Sequence, residues 1–261
     1  MSQVDMFKLD GKVAIIPGGS GGIGSALAAG ICEAGAEVAI VDRDGDGLAR
    51  TCARMRAGGA KPLPIAADLT DKEDAERAVA ETVAHFGRLD IIVNAVGGGA
   101  GKVLFDAQDY PLPEWDWIMN LNVMTTLLPT QAAVRAMIEA GNGGRVINIS
   151  SVRAQLGINA GYSAYVAAKG AISSLTRQWA TEWAKHGITV NAIAPTFVDT
   201  PQVAMLLEDP EFKAGVVGRI PLGRVGQTSD LLGPVLLFAS DAASFVTGQI
   251  LTIDGGLTAT Q

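Results

Sequence analysis

The stretch K-V-A-I-I-P-G-G-S-G-G-I-G at residues 12–24 decides how the rest of the chain is read. Residues 12–16 are a short apolar run with β-branched side chains, which predicts a strand buried on both faces. The run passes straight into a glycine-rich loop. From there apolar residues recur at helical spacing, Ile23, Leu27, Ile31 and Ala34, until Gly35 ends them. Residues 37–41 predict a second strand that stops at Asp42. A strand, glycine loop, helix and strand within about thirty residues is the context in which such a loop carries chemistry. Glycines let backbone N–H groups approach a phosphate, and the helix N-terminus adds its positive end. The spacing here is Gly18, Gly22 and Gly24, G-x-x-x-G-x-G rather than G-x-G-x-x-G.

Asp42 stands at the distance beyond the loop, about 20 residues, where a carboxylate meets a ribose 2′-hydroxyl. The loop and the acid together point to a dinucleotide. A carboxylate there repels a 2′-phosphate, which favours NAD over NADP, while the adjacent Arg43 leaves NADP open. The plainer reading is that Asp42 only begins the D-R-D-G-D-G turn.

The alternation continues. Helices are predicted at 47–57 and 71–86, and strands at 61–66 and 89–93. A long helix at 114–139 carries Asn120, Leu121 and Asn122, with a kink expected at Pro129. Further strands follow at 145–149, 189–193 and 250–253, with a helix at 230–239. Ser163 is the expected N-cap of the helix that follows the fifth strand. This is an α/β pattern: a doubly wound, seven-stranded parallel sheet with helices on both faces, a Rossmann fold. No repeat or linker divides the chain, so residues 1–261 read as one dinucleotide-binding and catalytic domain. In such sheets ligands bind beyond the C-terminal strand ends. That places the glycine loop, Asp42, Asp68 and Asn94 on one rim. An insertion at about 196–225 carries Met205, Leu206, Leu207, Phe212, Val216 and Val217. It suits a lid over a substrate or, equally, a packed excursion.

The bulk numbers exclude several classes. With 261 residues and 48% hydrophobic composition the chain can bury a large core. A net charge of −7 argues against nucleic acid and against an anionic membrane surface. No run reaches the roughly 18 apolar residues of a membrane span, and the N-terminus lacks a signal-peptide pattern. Cys32 and Cys52 fall on separate helices and imply no disulfide framework. His85 and His186 are too far apart to suggest a metal site. A cytoplasmic protein acting on a small molecule is the expectation.

The chemistry points to S-S-V-R-A-Q-L-G-I-N-A-G-Y-S-A-Y-V-A-A-K at residues 150–169. Tyr165 and Lys169 are four apart and share a helix face. A phenol holds its proton to about pH 10, and a neighbouring ammonium is expected to lower that value. Tyr165 then exchanges a proton with an alcohol or ketone, and Ser151 positions the reacting oxygen. Tyr162 is a rival phenol, but its partner four residues on is Val166. Alone, such a pair is most often an amphipathic tyrosine beside a solvated lysine; the glycine loop and Asp42 give it weight.

With these residues in hand the chain resembles the short-chain dehydrogenase/reductase family from Leu9 to Gly256. The resemblance rests on the glycine loop, Asp68-Leu69, I-V-N-A-V-G at 92–97, Asn122, I-S-S at 149–151 and Tyr165-x-x-x-Lys169. It continues through N-A-I-A-P at 191–195 and T-G-Q-I-L-T-I-D-G-G at 247–256. It implies a catalytic tetrad of Asn122, Ser151, Tyr165 and Lys169, with Asn122 holding a water that links Lys169 to solvent. It implies cofactor contacts from Gly18, Ser20, Gly22 and Ile23 at the phosphates, and from Asp42 and Arg43 at the ribose. Asp68 and Leu69 are implied at the adenine, Asn94 on the adenosine side, and Val198 and Thr200 at the nicotinamide. Lys169 is also implied at the nicotinamide ribose, beside Tyr165. A homotetramer with the stretch near Ile250 at an interface is implied as well.

Three departures stand out: Pro17 in place of threonine, Ala95 in place of a second asparagine, and Thr196 in place of a glycine. The first two concern bracing of the rim; Thr196 is expected to trim the substrate pocket. Arg153 and Gln155, close behind Ser151, suit a hydroxylated or anionic substrate or else a solvated loop. Residues 120–131 and the segments L-E-D-P-E-F and S-D-L-L-G-P are similar to the sugar-acid and gluconate-type dehydrogenases of the family. The expected substrate is a sugar, sugar acid or polyol. The alternatives are a hydrophobic alcohol or ketone, an acyl thioester, or a dinucleotide sensor without catalysis.

Overall fold

Alternate residues of each strand enter different cores, and this is what makes both faces of the sheet apolar. The computed structural model describes residues 3–99 and 101–260. The strands are β1 (Val13–Pro17), β2 (Glu37–Asp42), β3 (Leu63–Ala66), β4 (Ile91–Asn94), β5 (Gly144–Ile149), β6 (Ile188–Pro195) and β7 (Ile250–Ile253). They form one parallel sheet in the order β3-β2-β1-β4-β5-β6-β7. Ala14 and Ile16 of β1 pack with Val38 and Ile40 of β2 under helices α1 (Gly22–Glu33), α2 (Gly45–Ala57) and α9 (Thr228–Ala239). Val13 and Ile15 pack with Ala39 and Val41 on the other face. That face is covered by α3 (Lys72–Phe86), α5 (Thr125–Ala140) and α6 (Ser163–Trp183). The doubly wound, seven-stranded parallel sheet expected from the alternation is the architecture found.

The strand order reverses between β1 and β4, and the crevice at that switch is where this sheet type takes a ligand. Pro17 closes β1 opposite Val41 and keeps its carbonyl in the ladder, accepting from Ala95 N–H at 2.9 Å. A proline at the strand end therefore leaves β1 paired on both sides.

Three local expectations are corrected. The helix at 114–139 is interrupted: α4 (Leu112–Met119) runs into a π turn at Asn120–Met124 before α5 begins. The irregularity lies at Asn120–Met124, upstream of Pro129, which is accommodated within α5. Ser163 is the first residue of α6, not its cap; Tyr162 holds the cap position, with no side-chain bond. The 196–225 segment forms α7 (Pro201–Leu207) and α8 (Pro210–Val217), with Asp209 capping α8 through bonds from Glu211 and Phe212 N–H. Val216, Ile220 and Val225 make a small core there with Phe197, Leu207, Phe212 and Val217. The side chains of Met205 and Leu206, and Ala100 in the 97–113 loop, lie outside the described residues. No helix among the described residues is long and apolar enough to cross a membrane.

Candidate active site

Gly18 adopts φ +82° at the end of β1, and Gly24 follows in the first turn of α1. A Cβ on Gly24 would meet the Gly18 carbonyl oxygen at 2.1 Å, so the loop closes on itself only because both are glycine. Gly22 is held just as tightly, with Thr200 where its Cβ would stand. Thr200, the cap residue of α7, is thereby packed on the glycine loop. The N-terminus of α1 has Gly21 as cap and no side-chain hydrogen bond. Its backbone donors and positive end therefore face the rim without competition from a capping group, which fits a pyrophosphate.

Asp42 ends β2 beside this loop, accepting from Ser20 N–H at 3.3 Å and Asp44 N–H at 3.2 Å. Arg43 is exposed next to it and helps to hold the Asp68 carboxyl low; the larger cause there is Thr70, which donates to Asp68 Oδ1 from N–H (3.0 Å) and Oγ1 (2.7 Å). Leu69 is buried in the core beneath. Ser20, Asp42, Arg43 and Asp68 thus share the β1–β3 end of the rim. Ile23 packs on the core with only part of its side chain exposed.

The reacting end is built by β5 and α6. Ser150 Oγ bonds the Lys169 carbonyl at 3.2 Å and Ser173 Oγ at 2.7 Å, tying the end of β5 to α6. That bracing fixes Ser151, which is buried, with its Oγ donating to the Pro195 carbonyl oxygen at 3.5 Å. Ser151 Oγ also accepts from Arg153 N–H at 3.1 Å. Burial pushes the Tyr165 phenol up from its usual value; the Ser151 hydroxyl and the Arg153 guanidinium act against this, and Tyr162 adds to it. Lys169 is 3% exposed, donates to the Ile149 carbonyl oxygen at 2.9 Å and lies 5.8 Å from the Tyr165 ring centroid. Burial brings its own pKa down to about 8. The expected lowering of the phenol by Lys169 is therefore not what this geometry does. The ammonium is committed to a strand-end carbonyl and lies by the ring, so desolvation of the phenol prevails.

Asn122 is fully buried within the π turn. Its Nδ2 donates to the carbonyls of Ile118 (2.9 Å) and Gly98 (3.1 Å), and Oδ1 accepts from Gly98 N–H at 3.1 Å. A Cβ on Gly97 would meet Asn122 Oδ1 at 2.8 Å and Lys169 Nζ at 3.0 Å. Asn122 thus joins the group by pinning residues 97 and 98 against Lys169.

Other expected residues lie elsewhere. Asn94 ends β4 at the rim, with its side chain buried. Its Nδ2 donates to Thr130 Oγ1 (2.7 Å) and Asn148 Oδ1 (2.8 Å), and Asn148 passes the chain on to Thr176 Oγ1 (2.9 Å). Its side chain braces β4, β5, α5 and α6. The bracing residues Asn148, Thr130 and Thr176 carry no sequence signal, since polar residues far apart in the chain reveal nothing of their pairing. Val198 is buried in the core and makes a bridge with Gly226. Thr196 lines a cavity of about 220 Å³ with Leu222, Arg224, Asp230 and Asp254, apart from Ser151 and Tyr165. Its hydroxyl is buried without a partner there. The structure does not place it with the catalytic group.

A glycine cradle under an uncapped helix and a serine–tyrosine–lysine set at the same strand-end rim now invite comparison with known proteins. A family model described as Enoyl-(Acyl carrier protein) reductase matches residues 18–258. The chain belongs to the short-chain dehydrogenase/reductase family. A gluconate 5-dehydrogenase of Gluconobacter oxydans is 36% identical over 258 residues, 99% of each chain. A 2-dehydro-3-deoxy-D-gluconate 5-dehydrogenase of Escherichia coli is 37% identical over 254 residues, 96% of each. A crystal structure of a gluconate 5-dehydrogenase from Burkholderia cenocepacia in complex with NADP and tartrate superposes with a TM-score of 0.90 at 35% identity, covering 99% of both chains. As a short-chain dehydrogenase/reductase this protein is an oxidoreductase that works with a dinucleotide on a CH–OH group.

Proposed function

We propose that the protein oxidises a secondary alcohol of a sugar acid, or reduces the corresponding ketone, with NAD as hydride carrier. The observation that carries the reading is the gathering beyond β5 of buried Ser151, of Tyr165 with Lys169 Nζ 5.8 Å from its ring centroid, and of Asn122 and Lys169 against Gly97. When bound, the nicotinamide accepts or returns the hydride. The phenol of Tyr165 gives or takes the proton at the reacting oxygen, and Ser151 holds that oxygen. Lys169, with a pKa of about 8, carries a positive charge at neutral pH and is held on the Ile149 carbonyl beside the Tyr165 ring. Gly18, Ser20, Gly22 and Ile23 would hold the pyrophosphate at α1, and Asp42 the adenosine ribose.

NAD is favoured because the Asp42 carboxylate, braced by two backbone N–H groups at the end of β2, would repel a 2′-phosphate. The Burkholderia relative contains NADP, so Arg43 is the residue through which this reading would fail. The sugar-acid class is supported by the names of the two gluconate-type relatives and by Arg153, whose N–H is bound to Ser151 Oγ at 3.1 Å. We read residues 1–261 as one catalytic domain with 196–225 as its substrate lid, in a cytoplasmic homotetramer. The half-exposed Leu251 of β7 suits an interface near Ile250.

The test is steady-state turnover on sugar acids, polyols and simple alcohols, each with NAD and with NADP. Oxidation of a sugar acid with NAD is expected. Activity confined to NADP overturns the cofactor reading, and activity confined to simple alcohols or acyl thioesters overturns the substrate class.

A further inference from the structure

The helix that carries Tyr165 begins without a side-chain cap. Tyr162 holds the cap position of α6 and makes no side-chain bond to the first turn, in which Tyr165 is the third residue. A first turn left so has open backbone donors and frays unless tertiary contacts hold it. Here those contacts come from α4 and from the loop between β4 and α4. Ala164 and Ala168 are fully buried with Ile118, and Val103, Tyr110, Trp115 and the Tyr165 ring pack on the same cluster.

One further contact is backbone on backbone. Gly161, one residue before the cap position, has φ +71°. A Cβ there would stand 2.7 Å from Phe105 N and 2.9 Å from Phe105 O. Phe105 N–H donates to the Gly161 carbonyl oxygen at 3.4 Å. A side chain at 161 is therefore opposed twice, by its own backbone conformation and by a facing peptide that has no rotamer with which to step aside. The loop that meets Gly161 is itself braced. Tyr110 Oη donates to the Val103 carbonyl at 3.0 Å, and the Tyr110 ring meets those of Phe105 and Trp115 edge-on, with centroids 5.5 and 6.0 Å away. The other end of the loop is held where Asn122 bonds both backbone groups of Gly98. One loop thus joins the Asn122 side of the catalytic group to the start of the tyrosine helix.

We propose that the seam between Gly161 and Phe105 positions Tyr165. It sets where the first turn of α6 stands against the end of β5, and so where the phenol lies relative to Ser151. Gly161 is a positioning residue that acts through Tyr165 and takes no part in proton transfer itself. The proposal rests on the reading of Tyr165 as the proton-transfer group.

The test uses the full-length protein with 3-fluorotyrosine incorporated. The chain has three tyrosines, Tyr110, Tyr162 and Tyr165, so fluorine NMR gives one resonance for each, and Tyr165→Phe assigns the third. Gly161→Ala should move or broaden the Tyr165 resonance. It should also lower kcat for D-gluconate oxidation about tenfold or more while KM for the dinucleotide stays within about twofold. Gly141→Ala is the control for backbone strain, because Gly141 ends α5 with φ +68° and nothing within 4 Å of where a Cβ would stand. It should change neither quantity. An equal loss in Gly141→Ala overturns the proposal, as does a folded Gly161→Ala protein that keeps the wild-type Tyr165 resonance. So does one that keeps the wild-type kcat in a reaction that Tyr165→Phe abolishes. If Gly161→Ala does not fold, Tyr110→Phe loosens the loop from its own side by freeing the Val103 carbonyl, and an unmoved Tyr165 resonance there overturns the proposal equally. Where gluconate is not turned over, the resonance alone decides. A moved resonance in Gly161→Ala, with full turnover by Tyr165→Phe, keeps the seam and overturns the reading of Tyr165.

Discussion

Lys169 Nζ stands 2.9 Å from the carbonyl oxygen of Ile149 and 5.8 Å from the centroid of the Tyr165 ring. The end of β5 therefore holds the lysine, and the lysine flanks the tyrosine. An amine so buried is costly to keep charged, and its pKa falls to about 8.

The sign of the resulting pH dependence follows from proton counts. Between about pH 8 and the unfolded lysine value near 10.5 the folded state holds fewer protons, so stability rises with pH across that window. Below pH 8 the full cost of the buried charge is present. Lys169→Met removes the titration. The wild type should gain on this variant by about 1–2 kcal/mol between pH 7.5 and 9.5 in paired urea titrations. A constant difference between the two proteins would show that Lys169 does not titrate in this way.

Tyr165→Phe deletes the proton-transfer group and leaves the ring to pack against Ile118, Ala164 and Ala168. Turnover should fall by about 10²–10⁴ while dinucleotide affinity stays within about twofold. A dinucleotide sensor would bind its cofactor alike in both forms and lose no activity.

Gly97 has φ +154° and no room for a Cβ between Asn122 Oδ1 and Lys169 Nζ. Gly97→Ala must displace one of these groups. It should lower kcat/KM by about tenfold or more, and stability by about 1–3 kcal/mol. A Gly97→Ala protein with wild-type turnover would mean that this contact does not position Lys169.

Asn94 divides a bracing role from a cofactor role. Asn94→Ala strands the Asn148 Oδ1 and Thr130 Oγ1 ends of a buried network. It should cost about 1–3 kcal/mol in chemical unfolding, with dinucleotide affinity within about twofold of the wild type. Loss of affinity without loss of stability would return Asn94 to the adenosine side.

Asp42→Asn removes the charge that discriminates at the ribose while leaving the side chain shape. The ratio of kcat/KM for NAD over NADP should fall by about tenfold or more. An unchanged ratio would assign cofactor choice to another residue.

The seven strands, their parallel arrangement and the phosphate loop were legible in the sequence because each depends on neighbours along the chain. Apolar runs near residues 12–16 and 37–41 are buried on both faces whatever packs on them. The Gly18–Gly24 closure is a local steric demand. The sharing of one helix face by Tyr165 and Lys169 follows from the spacing of four alone. The π turn at Asn120–Met124 was not legible, since one added backbone residue per turn leaves no mark in composition.

Everything that depends on distance through space was decided by the tertiary structure. Sequence placed Asn94 at a strand end; only the packing of α5 and α6 across β4 and β5 turned its side chain inward to Thr130 and Asn148. Sequence proposed that Lys169 lowers the tyrosine; the fold gave the ammonium a carbonyl on β5 and left the phenol partly buried, and desolvation prevailed. Arg153 was visible as a polar residue behind Ser151, but the bond from its N–H to Ser151 Oγ and the reach of its guanidinium to the Gly157 carbonyl arise from how the chain turns beyond β5. Hydrophobic period and steric need act locally and survive in the one-dimensional chain. Desolvation and charge pairing depend on which distant groups the fold brings within a few ångströms, and these the three-dimensional arrangement alone supplies.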